Sequence, residues 1–173
     1  MNILLGYETK ELNEILNCNI DVLSMNVLDT NKENDKKLKK YLKSIFMNGL
    51  ETRGYKRVKN ILTNILNCNN DRVIINDIEL YLHPQELVNF MRVLIEIDRK
   101  INITIRTNNE LPLLVVEQSV RKGLTKANDH EITYFDVREE ITLNLDSEGD
   151  ITNIKDVPGG LFEEGFNLVF NIK

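Results

Sequence analysis

The sequence is poor in the residues that mark several common protein classes. Of its 173 residues two are cysteines, two are histidines, three are prolines, and none is tryptophan. The cysteines, Cys18 and Cys68, lack the CxxC spacing of a metal site and are too few for a disulfide framework. We therefore interpret both as reduced, structural residues.

Long apolar runs are also missing. No stretch approaches the roughly 20 residues that span a bilayer. The amino-terminal "MNILLGYETK" has neither the basic start nor the long apolar core of a signal peptide. We therefore expect a cytoplasmic protein without a membrane partner. The net charge of −5 gives no overall attraction for nucleic acid or an anionic membrane.

The chain does have the composition and the element order of one α/β domain. It is 42% hydrophobic and 28% charged, and it is long enough to bury a core. Hydrophobic periodicity predicts strands at 2–6, 20–28, 71–77 and 101–107, and helices at 9–17, in the later half of 29–46, and at 54–67, 84–100 and 109–123. Strands that alternate with helices predict a largely parallel sheet with flanking helices.

The last fifty residues differ from this pattern. Strands are predicted at 131–137 and 140–146, joined as a hairpin by Arg138 and Glu139. We therefore predict a single domain with an α/β core at 1–123 and a β-rich C-terminal extension at 124–173. The apolar run at 73–75 predicts a strand that is buried on both faces and central to the sheet.

The stretch "VIINDIELYLHPQEL", residues 73–87, is the most informative in the chain. The predicted strand ends in Asn76, Asp77 and Glu79, and a helix follows from Pro84, which suits a first-turn position. A strand that ends in acidic residues is a common way to hold a metal–nucleotide. We interpret His83 as a residue that caps the helix start, since no Cys or His lies at metal-ligand spacing from it.

This stretch resembles the Walker B strand of ABC-type ATPases related to the overcoming-lysogenization-defect and SMC-like families. In that strand, apolar residues precede Asp-Glu-Pro-Glu and then Leu-His-Leu-His-Pro. Asn76 falls at the metal-organising Asp, Asp77 at the catalytic Glu, and Glu79 at the second Glu. Residues 82–84 match outright.

Three further stretches keep the order of that family, so the resemblance covers about residues 50–170. The segment 50–62 is similar to the family's signature segment, which often reads Ser-Ser-Gly-Tyr-Lys-Arg. The segment 101–114 resembles a strand and switch that usually read Thr-His-Ser, with Asn108 in place of the histidine. The segment 156–166 resembles a Trp-Pro-Glu-Gly-Phe-Phe-Asp-Glu motif. In the signature, Gly54, Lys56 and Arg57 match.

The amino-terminal "ILLGYETKELNEIL" lies where the family has its phosphate-binding loop. Such a loop needs a glycine-rich turn and a Lys-Ser/Thr pair around the phosphates and Mg²⁺. Here only Gly6 and Lys10 are present, and Glu11 stands in place of Ser/Thr. An ordinary strand–helix turn explains the segment equally well. In either case we expect no working Walker A motif and no ATP hydrolysis.

The resemblance therefore implies a degenerate ATPase that works as a binding or scaffold protein, with no cofactor and no metal. Its expected partner is an intact ATPase or a second copy, because ABC-type heads form head-to-tail dimers in which the signature faces the partner's nucleotide. Alternatives are an active nucleotide-dependent or nuclease-linked protein of a phage-defence system, and an immunity or antitoxin-like partner.

The basic residues of the middle of the chain leave one more choice open. Lys39, Lys40, Arg53, Lys56, Arg57 and Lys59 could form a basic face for DNA. We favour solvated helix faces. We then expect no direct binding to nucleic acid, which the chain would contact only through its partner.

Overall fold

A computed structural model describes residues 1–6, 32–46, 50–67, 72–98, 101–135 and 140–153. Its strands are β1 (Asn2–Gly6), β2 (Arg72–Ile75), β3 (Asn102–Thr107), β4 (Glu131–Phe135) and β5 (Glu140–Leu143). Its α-helices are α1 (Lys32–Ile45), α2 (Arg53–Asn67), α3 (Pro84–Asp98) and α4 (Leu111–Arg121), and a 3₁₀ turn covers Ala127–Asp129. In these ranges no helix is long and apolar enough to cross a membrane.

Several predictions concern residues outside the described ranges. They include the helix at 9–17, the strand at 20–28 and the motif at 156–166, together with Lys10, Glu11 and both cysteines.

The described strands form one sheet in the order β2-β3-β1-β4-β5. The pairs β2–β3, β3–β1 and β1–β4 are parallel, and β5 runs antiparallel to β4. The α/β class and the largely parallel sheet are therefore confirmed, and β4 and β5 pair antiparallel, while the predicted hairpin residues Arg138 and Glu139 lie outside the described ranges. The central position expected for β2 is wrong, because among the described strands it lies at one edge. Val73, Ile74 and Ile75 are nevertheless all buried, as predicted.

The part of the chain after residue 123, predicted to be a β-rich extension of the same domain, contributes strands β4 and β5 to the sheet. β4 pairs in parallel with β1 along its whole length, with Ile132 opposite Ile3 and Phe135 opposite Gly6. The sheet therefore continues past residue 123, and β5 adds to it by antiparallel pairing with β4. Sequence order hid this pairing, because β1 and β4 lie at opposite ends of the described chain.

The helices pack their apolar stripes against the sheet and against each other. In α2 the buried side chains include Val58, Ile61, Leu62 and Ile65, which recur with the helical period. α1 and α2 lie side by side and antiparallel. Asn34 Nδ2 near the start of α1 donates to the Leu66 carbonyl at 2.8 Å, and the Phe46 and Tyr55 rings meet at the other end with centroids 5.2 Å apart.

One helix end shows how the sequence specifies a boundary. Gly123 adopts φ +67° after α4 and has nothing within 4 Å of where a Cβ would lie. The Leu124 N–H donates to the Ser119 carbonyl at 2.9 Å, and the Gly123 N–H donates to that of Val120 at 2.8 Å. This is the Schellman arrangement that favours glycine.

Candidate functional site

The candidate residues gather where the parallel strands end. Ile75 pairs with Ile105, and Leu5 pairs with Thr107. The residues that follow these positions, including Asn76, Gly6 and Asn108, therefore lie along one edge of the sheet. Ligands of open α/β sheets bind at this carboxyl edge. Of the residues that the resemblance places at a nucleotide site, Lys10 lies outside the described ranges.

Glu79 is the most constrained carboxylate of this edge. The Thr107 hydroxyl donates to Glu79 Oε2 at 2.6 Å, and the Asn108 backbone N–H donates to Oε1 at 3.1 Å. Thr107 is fully buried at the end of β3, and its hydroxyl also accepts the Asn109 N–H at 3.0 Å. Both oxygens of Glu79 are therefore used to fasten the segment after β2 to the end of β3.

Arg57 binds the same segment from the other side. Its Nη2 donates to the Asn76 carbonyl at 2.5 Å, and its Nη1 donates to the carbonyls of Ile78 and Leu80 at 3.2 and 3.4 Å. The residue is half-buried. The interpretation of Arg57 as part of a solvated helix face is therefore wrong, because its guanidinium binds the backbone of residues 76–80.

Gly54, the glycine of the signature-like segment, has a packing role. A Cβ on Gly54 would lie 2.4 Å from the Tyr81 carbonyl oxygen, so α2 can approach this segment closely only with glycine there. The preceding Thr52 caps α2, since its hydroxyl accepts the Tyr55 N–H at 3.1 Å. Lys56, the third matching residue, is exposed.

Residues 76–82, which we call the β2–α3 loop, have an unusual backbone and an apolar surface. Asp77 and Tyr81 have φ +47° and +66°. This left-handed region is more common for Asp than for a bulky residue such as Tyr. Leu80 is 44% exposed and Tyr81 is 57% exposed, while the Arg53 guanidinium lies 6.0 Å from the Tyr81 ring centroid. The bonds to Glu79 and Arg57 thus fix a loop that presents two apolar side chains.

Asn76 lies at the position that resembles the metal-organising Asp. Its Oδ1 is buried and has no hydrogen-bond partner among the described residues. A neutral amide oxygen is a poorer ligand for Mg²⁺ than a carboxylate. Across the part of the chain that the structure describes, no three His, Cys, Asp or Glu side chains are placed to hold a metal ion.

His83 caps α3, as the sequence predicts. Its Nδ1 accepts the Gln85 N–H at 3.3 Å, while the Glu86 carboxylate accepts the His83 N–H at 3.0 Å. This reciprocal pair is a capping box with histidine in the place of Ser or Thr.

Sequence reasoning missed three residues of this edge. Thr107 was not selected as a site residue, although its hydroxyl is the donor that holds Glu79. A buried hydroxyl directly after an apolar strand was the available signal. Leu80 and Tyr81 were overlooked because nothing in their spacing separates a displayed apolar pair from ordinary core residues.

A second polar cluster lies at the far end of α4. Arg121 Nη2 is 2.5 Å from the Asp150 carboxylate, and its Nε donates to the Glu148 carbonyl at 3.3 Å. Burial raises the pKa of Glu117, one helical turn earlier, to about 7; Arg121 opposes this shift and Asp150 adds to it. A partly buried carboxyl group therefore titrates near neutral pH.

Comparison with known proteins adds no identification. Neither protein-family models, nor curated proteins, nor solved structures match the chain. The class defined by the geometry is therefore an α/β protein with a five-stranded, mostly parallel sheet and flanking helices.

Proposed function

We propose that this protein is a non-catalytic binding protein with an ATPase-like architecture, which associates with an intact ATPase or with a second copy of itself. One observation carries the proposal. The two charged side chains best placed for nucleotide chemistry, Glu79 and Arg57, are engaged in internal hydrogen bonds that hold the β2–α3 loop. The same loop exposes Leu80 and Tyr81.

The chemistry of the remaining residues agrees with a binding role. Nucleotide hydrolysis in this class needs a phosphate cradle, an acidic Mg²⁺ ligand, a carboxylate that orients water, and a sensor of the γ-phosphate. Asn76 is neutral at the position of the acidic Mg²⁺ ligand, and Asn108 is neutral at the position of the γ-phosphate sensor. Asp77, at the position of the carboxylate that orients water, is one methylene shorter than the expected Glu. For the phosphate cradle, the segment at the end of β1 supplies only one glycine, Gly6.

The displayed pair suits a protein partner. Exposed aromatic side chains with few rotatable bonds are frequent anchors of protein interfaces, because they bury a large area at a small loss of conformational entropy. Tyr81 has its backbone position fixed by the packing of Gly54 against its carbonyl and by the Arg57 bonds to the loop. We place this association in the cytoplasm.

Phosphate release tests the non-catalytic part. The isolated protein should release no phosphate from ATP with Mg²⁺ or Mn²⁺ present. Release that rises with protein concentration and disappears in the Asp77→Ala variant would support the alternative, a nucleotide-dependent ATPase or nuclease-linked protein. The unpartnered Asn76 Oδ1 is the observation that favours this alternative, because an unsatisfied buried oxygen can accept a metal-bound water.

The binding part is tested with matched surface variants. Tyr81→Ala should abolish the association with a protein partner in the native host, while Leu124→Ala should preserve it. Leu124 is 52% exposed and lies outside the β2–α3 loop. Thermal melts should be nearly identical for both variants, since both side chains are exposed. Equal capture of the same partners by the two variants would show that the loop is not the interface.

A further inference from the structure

Helices α1 and α2 concentrate the positive charge of an acidic protein. Residues 32–67, which we call the basic layer, contain ten Lys and Arg against three Asp and Glu, a net charge of +7 in a chain whose total is −5. The remainder of the chain therefore carries −12. α2 itself holds four cations and no acidic residue. Such separation of charge within one small domain favours a strongly anionic ligand.

The lysines of α1 form a regular row. Lys32, Lys36, Lys39 and Lys43 are spaced by three or four residues and are all exposed, so they lie along one stripe of the helix. At a rise of about 1.5 Å per residue the row is roughly 16 Å long. Within the described ranges these four side chains form no ion pair. The neighbouring Lys37, outside the row, pairs with Glu33.

The second helix extends this row. Because α1 and α2 are antiparallel and Phe46 touches Tyr55, the Lys43 end of the row lies beside the start of α2. Arg53, Lys56 and Lys59 are exposed there. Both helices therefore carry exposed cations near the end where Phe46 meets Tyr55, and α2 has no acidic side chain to offset them.

We propose that the basic layer binds the phosphate backbone of a nucleic acid directly. The phosphates of one strand repeat about every 3.4 Å along the duplex axis, so a row of about 16 Å can follow several consecutive phosphates. A regular row of exposed lysines complements such a regular polyanion. The lysine row of α1 uses different residues from the displayed Leu80 and Tyr81, although Arg53 of the basic layer lies beside the Tyr81 ring.

The experiment measures fluorescence anisotropy of labelled single-stranded and duplex oligonucleotides over a series of salt concentrations. The test variant is Lys39→Glu/Lys43→Glu, and the control is Lys122→Glu/Lys126→Glu. The control changes the net charge equally at exposed positions outside the basic layer. A milder pair, Lys39→Gln/Lys43→Gln, and circular dichroism of every variant establish that α1 remains folded.

The wild type should bind at low salt. The test variant should bind about tenfold or more weakly, and the slope of log K against log salt should fall by about 2, one unit for each lost phosphate contact. The Gln pair should show the same direction, and the control should stay close to wild type. Preference for the single strand or for the duplex then identifies the form of the nucleic acid.

Three results would overturn the proposal. They are no binding at low salt, equal weakening in the test and control variants, and a self-association of the chain that only the test variant loses. The last result, measured by sedimentation, would assign the basic layer to the acidic surface of a second copy.

Discussion

The β2–α3 loop and the turn after β5 are built from the same parts and differ in what they present. In each, an arginine from a helix binds the segment: Arg57 holds the loop, and Arg121 holds the turn at 146–150. In each, a glycine allows close packing. A Cβ on Gly54 would lie 2.4 Å from the Tyr81 carbonyl oxygen, and one on Gly149 would lie 2.5 Å from that of Glu117.

The difference lies in burial and in the exposed side chains. Arg57 is half-buried and donates to three backbone carbonyls, whereas the Arg121 and Asp150 side chains are 56% and 65% exposed. The loop exposes Leu80 and Tyr81, whereas the turn exposes mainly charged residues. Under the proposal above, the loop is held in place to present Leu80 and Tyr81 to a partner, whereas the turn is assigned no binding role.

The largest effect is expected at Arg57. Arg57→Ala removes the donor of the Asn76, Ile78 and Leu80 carbonyls and should lower the free energy of unfolding by about 2–3 kcal/mol, because charged hydrogen bonds to a half-buried backbone are lost. Urea denaturation measures this change. A loss below about 0.5 kcal/mol would mean that the loop does not depend on Arg57, and the contrast with the turn would fail.

The second effect concerns pH. The folded-state pKa of Glu117 is raised from its ordinary value of 4.5 to about 7, so the folded state favours the neutral carboxyl group. Stability from this group is present below pH 4.5 and is lost as pH rises through about 7. The change is about 2 kcal/mol, allowing for partial exposure of the side chain.

Glu117→Gln should remove this dependence and should be more stable than wild type above pH 7. Denaturation curves between pH 4 and 8 measure the difference between the two proteins, in which the contributions of other groups cancel. Glu131→Gln, at an exposed position, is the control and should behave as wild type. A difference between wild type and Glu117→Gln that stays constant with pH would contradict the raised pKa.

The smallest effect is expected at Arg121. Arg121→Ala breaks the exposed pair with Asp150 and should cost about 0–1 kcal/mol, because solvent screens such pairs and ordering two long side chains offsets their attraction. Urea denaturation measures the loss in the free energy of unfolding for this variant and for Arg57→Ala, so that the two losses can be compared. Equal losses for the two variants would remove the distinction between the loop and the turn.

The sequence predicted the local structure better than the long-range arrangement. The helices at 32–45, 53–67, 84–98 and 111–121 follow from apolar stripes, and the polar residues that meet at the carboxyl edge follow from where two parallel strands end. The edge position of β2 and the β1–β4 pair could not be predicted, because strand order depends on contacts between distant segments that leave no periodic signal.

The roles of individual polar residues were also beyond the pattern. Arg57 was predicted to be an exposed charge, since a helix with lysines on one face gives no sign that one cation turns inward to backbone carbonyls. The bond between Thr107 and Glu79 depends on the distance between the end of β3 and the β2–α3 loop. Motif positions therefore did not predict which bonds these residues make.

Titration with Mg²⁺–ATP tests the central claim most directly, namely that the carboxyl edge holds a binding loop rather than a nucleotide site. Isothermal calorimetry of the isolated protein should show no saturable heat, and the melting temperature should not change with nucleotide. Binding with micromolar affinity that requires Mg²⁺ and is lost in Asp77→Ala would contradict the account and establish a working nucleotide site.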